Sequence, residues 1–220
     1  MERALVVGSS GGIGSALASA LEARSVHVTR LSRQDDGLDV GDAGSVERAF
    51  AELQGPFDLV IVATGILSAE GGAPEKSLSA IDASDMLRLF AVNAVGPALM
   101  LKEVPRLLPK SRRSVVAVLT ARVGSIGDNQ LGGWYSYRAS KAAANQIVRT
   151  AAIEIGRKRS EAIVVALHPG TVATKFTEGY PGHRKVSPDC AANNLLGVLD
   201  SLTPRQSGQF FDWEGKEVPW

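Results

Sequence analysis

Short apolar runs rich in β-branched residues alternate along this chain with stretches of helical period. "ALVVG" at 4–8, "VHVTRL" at 26–31, "FDLVIVAT" at 57–64, "SVVAVLT" at 114–120, "AIVVALH" at 162–168 and "GQFFDW" at 208–213 predict strands, with a weaker one in "LDV" at 38–40. Several of these runs are apolar without interruption, as in strands buried on both faces. Helices are predicted over 12–24, 45–53, 84–108, 135–159 and 188–202. The alternation predicts an α/β fold, doubly wound, with a mostly parallel sheet of about seven strands and helices on both faces. No internal repeat, low-complexity tract or linker divides the chain, so one domain is expected over 1–220.

The first strand runs straight into "VVGSSGGIG" at 6–14, four glycines and two serines just before a predicted helix. Glycine costs conformational entropy on folding, so such a cluster implies a tight turn or a ligand pressed against the main chain. Backbone N–H groups and the helix dipole in this setting make an anion site suited to a dinucleotide pyrophosphate. The spacing Gly8, Gly12, Gly14 is G-x-x-x-G-x-G, not the commoner G-x-G-x-x-G.

Composition narrows the alternatives. With 220 residues, 45% hydrophobic and 21% charged, the chain is long enough to bury a sizeable core. A formal net charge of +1 gives no global pull toward nucleic acid or a membrane surface. A lone cysteine, Cys190, allows no internal disulfide and suits a reducing compartment. The N-terminus carries no signal-like segment and no apolar run approaches the roughly 18 residues of a membrane span, so a cytoplasmic protein is expected. His27, His168 and His183 lack metal-ligand spacing, and no metal site is expected. There is neither a G-x-S-x-G elbow nor a Lys-Ser/Thr after the glycines, which argues against hydrolase and nucleotide triphosphatase chemistry.

"YSYRASKAAAN" places Tyr137 and Lys141 four apart on a predicted helix, hence on one face. With the glycine turn upstream, this pair resembles the short-chain dehydrogenase/reductase family. "NAVG" with Asn93 resembles the family's helix-four asparagine, "HPGTVAT" at 168–174 its Pro-Gly segment beside the nicotinamide, and "LDV" its adenine-contacting segment. "ARVGSIGDNQLGGWYSYRASK" and "SGQFFDWEGKEVPW" further resemble the compact carbonyl-reductase and C-factor-like subgroup.

The resemblance implies a Rossmann-type domain that transfers hydride between a nicotinamide cofactor and a carbonyl or alcohol substrate, with Tyr137 as acid/base. A phenol titrates at about 10, so bringing it near neutrality takes roughly 4 kcal/mol of phenolate stabilisation, for which the positive Lys141 is the expected source. The resemblance also implies that Lys141 bonds the nicotinamide ribose and that Asn93 holds a water leading to that lysine. Cofactor contacts are expected from Gly8, Ser10, Gly12, Ile13 and Gly14 in the turn, Asp39 and Val40 at the adenine, and Pro169, Gly170, Val172 and Thr174 at the nicotinamide. The segment after Thr174, through Cys190, is expected to form a flap over the pocket.

Two departures stand out. The family's "NNAG" is here "VATG", leaving Ala63, Thr64 and Gly65 in the loop, and the family serine falls on Ala121. Ser125, twelve residues before Tyr137, is the preferred replacement on separation, with Thr120 as the alternative. Beyond the second strand, where NAD-binding chains carry an acid, stand Ser32 and Arg33, a hydroxyl and a guanidinium suited to a phosphate. NADP(H) is therefore expected over NAD(H). A homodimer or homotetramer is expected through helices 84–108 and 135–159. The rival to the enzyme is a cofactor-binding signalling or regulatory protein, kept open by Ala121.

Overall fold

The computed structural model describes residues 1–69, 72–179, 182 and 184–220. Along the sheet side of the chain run β1 (Arg3–Val7), β2 (His27–Leu31), β3 (Leu59–Val62), β4 (Ser114–Leu119), β5 (Ala162–His168) and β6 (Phe210–Asp212). The helices are α1 (Gly12–Ala23), the short α2 (Arg33–Asp36), α3 (Ala43–Ala51), α4 (Ala83–Phe90), α5 (Gly96–Leu107), α6 (Tyr135–Lys158) and α7 (Pro188–Ser201). The strands pair in the order β2-β1-β3-β4-β5-β6, all parallel.

Side-chain alternation along each strand builds two cores at once. Leu5 and Val7, Val60 and Val62, Val116 and Val118, and Val164 and Ala166 join Phe50 of α3, Met100 and Val104 of α5 and Val148 of α6 on one face. Ala4 and Val6, Leu59 and Ile61, Val115 and Ala117, and Ile163 and Val165 join Leu17 and Leu21 of α1 and Leu195 and Leu199 of α7 on the other. The uninterrupted apolar runs of the sequence have this cause: every position faces a helix layer.

Two elements depart from the sequence pattern. The sheet has six strands among the described residues, because 38–40 runs as irregular chain. Leu38 and Val40 are buried in the core above β2 without pairing to it, which explains their apolar character. The single helix expected over 84–108 is broken into α4 and α5 by a π-helical turn, Ala91–Val95. Gly96 there donates to the Ala91 carbonyl, five residues back, and Pro97 has no N–H to offer Asn93 four residues before it. Single π turns of this kind mark functional positions in many helices.

Phe50 is fully buried. Phe50→Ala is expected to cost roughly 3–5 kcal/mol through lost burial and the cavity left behind. Urea titration checks this, and a loss under about 1 kcal/mol would mean that α3 is not packed as described.

Candidate active site

Ligands of open α/β sheets sit beyond the strand carboxyl ends, where the strand order reverses. That point lies between β1 and β3, and a cleft of about 270 Å³ opens there. It is lined by Gly8, Ser10 and Gly11 after β1, by Ser32, Arg33, Asp39 and Val40 after β2, and by Ala63, Thr64, Gly65 and Ile66 after β3. The glycines are bare for packing reasons. Gly8 has φ +88°, and a Cβ there would stand 2.7 Å from the Ala63 carbonyl oxygen. A Cβ on Gly14 would collide with the Gly8 carbonyl, and one on Gly12 would press on Thr174. The turn thus closes on itself while the loop after β5 folds over it. Ile13 is half-buried against the core beneath α1.

These residues fit a dinucleotide on two counts. The turn offers main chain without side chains at the start of α1, and the buried Thr64 Oγ1 in the same cleft has no hydrogen-bond partner among the described residues. Ser32 behaves differently from expectation. It caps α2, accepting from Asp35 N–H at 3.0 Å and donating its own proton to Asp35 Oδ2 at 2.8 Å, so the hydroxyl is committed within its own turn. Arg33 lines the cleft with its side chain unpaired among the described residues. Asp39 Oδ1 accepts from Gly41 N–H at 2.9 Å. Arg88 and Val92 also line the cleft; no sequence signal singles them out, because they reach it from α4 and the π turn across space.

Next to the cleft, Tyr137 and Lys141 stand one turn apart at the start of α6, both buried. Lys141 Nζ donates to the Leu119 carbonyl at 3.1 Å and lies 5.9 Å from the Tyr137 ring centroid. Burial brings the ammonium down to about 8. The phenol moves the other way: burial pushes Tyr137 above its ordinary value, so the lowering expected from Lys141 is not present here. Tyr137 is walled by apolar groups, clustered with Ala121 and Leu89, and Leu67, Val123 and Trp134 pack against that cluster. Its ring centroid lies 6.1 Å from both Trp134 and Phe176.

Asn93 joins the two halves. Its Oδ1 accepts from Ile66 N–H at 2.8 Å, and its Nδ2 donates to the Ile66 carbonyl at 2.9 Å and to Ser140 Oγ at 3.1 Å. Ser140 in turn donates to the Tyr137 carbonyl at 2.9 Å. The Asn93 side chain is therefore committed to the loop after β3 and to α6. A Cβ on Gly65 would lie 3.2 Å from both Asn93 Oδ1 and Lys141 Nζ, so Gly65 marks where cleft and pair meet. Glu75 carries no signal in the sequence, yet its carboxylate accepts from the backbone and hydroxyl of Ser136, capping the helix that carries the pair.

The two hydroxyls near Ala121 differ. Ser125 is buried and accepts from Asp128 N–H at 3.1 Å, whereas Thr120 Oγ1 is buried without a partner among the described residues. Pro169 follows β5, Gly170 has φ +77° beneath Trp213, and Val172 is buried in a bridge with Val186. Part of the expected flap, including His183, lies outside the described residues. His168 is held down to about 4 by burial and by Arg122, against the opposing pull of Asp212, and is neutral at pH 7. Among the described residues no group of three potential ligands could hold a metal, and no helix is long and apolar enough to cross a membrane.

Residues 16–209 match the family model described as enoyl-(acyl carrier protein) reductase. The chain belongs to the short-chain dehydrogenase/reductase family. This family comprises NAD(P)-dependent oxidoreductases, and the chain falls in its carbonyl-reductase and C-factor-like part. It is 40% identical over 179 residues to the C-signal protein of Myxococcus xanthus, covering 79% of this chain and 99% of that one. It is 32% identical to 1-hydroxy-2-glutathionyl-2-methyl-3-butene dehydrogenase of Rhodococcus sp. strain AD45, covering all of both. The fold is shared with the NADPH-bound carbonyl reductase of chicken fatty liver, at TM-score 0.85 and 24% identity over 100% of this chain and 99% of that one.

The buried ammonium of this family member sets a pH dependence. Its folded value of about 8 lies below the 10.5 of an ordinary lysine. Between those values the unfolded chain binds more protons, so stability rises with pH across that window. Below it a penalty of roughly 3 kcal/mol is in full force. Lys141→Met is expected to stabilise the ligand-free protein at pH 7 by about 1–3 kcal/mol in urea titrations, with the gain fading by about pH 10.5. A gain equal at both pH values would assign it to packing instead.

Proposed function

We propose that the protein is an NADP(H)-dependent oxidoreductase acting on a small carbonyl or alcohol substrate, with Tyr137 as acid/base. The observation that carries this reading is the buried Tyr137–Lys141 pair, one helical turn apart and joined through Gly65 to the cleft at the strand-order switch. When bound, the nicotinamide supplies or takes up hydride. The chain's own groups do the rest. A phenol raised by burial keeps its proton at neutral pH and can donate it from Oη to an oxygen that gains negative charge. Lys141 places positive charge behind the ring, which favours the phenolate left after that donation. Trp134 and Phe176 pack on the Tyr137 ring, and Leu67 packs against the same apolar cluster, so the proton is donated from an apolar wall.

The preference for NADP(H) rests on Arg33, an unpaired guanidinium in the cleft where an NAD-binding chain would carry an acid. The carbonyl reductase of chicken fatty liver, bound to NADPH, shares the fold and accords with it. A second reading, a cofactor-binding signalling protein with little turnover, is favoured by the 40% identity to C-signal and by Ala121 beside Tyr137. We propose further that the protein forms a homodimer or homotetramer, a reading supported by Leu87, Val95 and Ile153, which stand 70%, 46% and 51% exposed on neighbouring helices.

Tyr137→Phe is expected to lower NADPH-dependent turnover of an aldehyde, ketone and quinone panel at least about 100-fold while nucleotide binding persists. Unchanged turnover would remove Tyr137 as the acid, and no wild-type turnover across the panel would favour the signalling reading. Ser125→Ala and Thr120→Val, compared in the same assay, identify the hydroxyl nearer the carbonyl by the larger loss at constant nucleotide affinity. Light scattering at micromolar concentration is expected to give a multiple of the 23.1 kDa chain mass. A monomer mass would refute the assembly.

A further inference from the structure

The adenosine end of the cleft contains a second guanidinium. Arg88, on α4 one turn before Val92, lines the same cavity as Arg33, Asp39 and Val40. Neither arginine side chain has an ion-pair or hydrogen-bond partner among the described residues. A Cβ built on Gly41 would stand 3.3 Å from Asp39 Oδ1 and 3.9 Å from Arg88 Nη1, which places the Arg88 guanidinium beside the Asp39–Gly41 turn. Asp39 Oδ1 is already occupied by the Gly41 N–H.

Charge balance favours a second cation. A phosphate monoester carries about −1.5 to −2 at neutral pH. Arg33 faces it with one positive charge, yet two carboxylates sit on the same short turn: Asp35 is held to the Ser32 hydroxyl at 2.8 Å and Asp36 to the Ser32 N–H at 2.7 Å. The Ser32 proton, which would otherwise serve the phosphate, goes to Asp35. Arg33 alone is therefore offset by its own neighbours. Arg88 comes from another element, has one neighbouring carboxylate, Asp39, against the two on the turn of Arg33, and has the planar fork that binds two phosphate oxygens.

We propose that Arg88 is the specificity-determining partner of Arg33, the two guanidinium groups together recognising the 2′-phosphate of the cofactor's adenosine ribose. The inference rests on the NADP(H) reading of the cleft and assigns its discrimination to α4 as well as to the turn after β2.

The test is equilibrium titration of the full chain with 2′,5′-ADP and 5′-AMP, which differ only in the 2′-phosphate, alongside NADP⁺ and NAD⁺. Arg88→Ala is expected to weaken 2′,5′-ADP and NADP⁺ roughly tenfold, as for a lost charged hydrogen bond at an open site, and to leave 5′-AMP and NAD⁺ within about twofold. Arg88→Lys, which keeps the charge without the fork, is expected to recover part of the loss. Equal weakening of 2′,5′-ADP and 5′-AMP would assign Arg88 to the adenine or ribose and overturn the proposal, as would no change in either. If Arg33→Ala abolishes discrimination while Arg88→Ala preserves it, the proposal fails and the NADP(H) reading stands. If wild type binds both ligands of each pair equally, both fail together.

Discussion

The geometry of the site depends on one buried amide. Asn93 bonds both main-chain groups of Ile66 and, through Ser140, reaches the backbone of Tyr137. Three segments far apart in sequence, the loop after β3, the π turn and the start of α6, are held by a side chain with no exposed surface. Polar groups removed from water must be paired or pay a desolvation cost, so each of these bonds resists displacement of the others. The helical irregularity is part of the same arrangement. With Pro97 unable to donate to the Asn93 carbonyl, the helix takes a π turn where the amide reaches across to Ile66.

Around this tether the protein holds an arrangement that opposes its own stability. Lys141 and Tyr137 are both almost wholly buried, the ammonium with one carbonyl partner and the phenol among apolar neighbours. Burial drives both toward their neutral forms, the lysine downward and the tyrosine upward. Strain of this kind concentrates at functional sites, where the surrounding fold over-determines it. Here Gly124 contributes by letting the loop after β4 lie against the α6 backbone at Lys141, where a Cβ would come within 2.8 Å. Glu75 fixes the other end by capping the helix.

The cleft and the pair draw on different physics. The cleft is lined by bare main chain and by open guanidinium groups, and the glycines are bare because the main chain there packs against itself. At the pair, apolar burial sets the protonation states. Ala121 belongs to this second environment: beside Tyr137 it adds apolar contact where a hydroxyl would have added a donor. Thr120, one residue back, keeps a buried oxygen without a partner among the described residues, and Ser125 spends its oxygen on Asp128.

The linear sequence by itself determined the layer architecture, because strands buried on both faces must be apolar at every position and helices covering them must be apolar at one face only. It also determined the glycine turn and the Tyr137–Lys141 pair, since both are local: a turn is set by consecutive residues, and a four-residue spacing fixes one helix face. Only the tertiary structure decided the rest. "LDV" reads as a strand by composition, yet Leu38 and Val40 are apolar because they lie against the core, and pairing to a neighbour is not a property a segment carries alone. Ser32 reads as a phosphate ligand until Asp35 folds back onto it. Glu75 and Arg88 have no motif, since they lie 61 and 55 residues from Ser136 and Arg33 in the chain and meet them only when the sheet is assembled. Local propensity is written along the chain, whereas desolvation and charge balance depend on which distant groups the fold brings within a few ångströms.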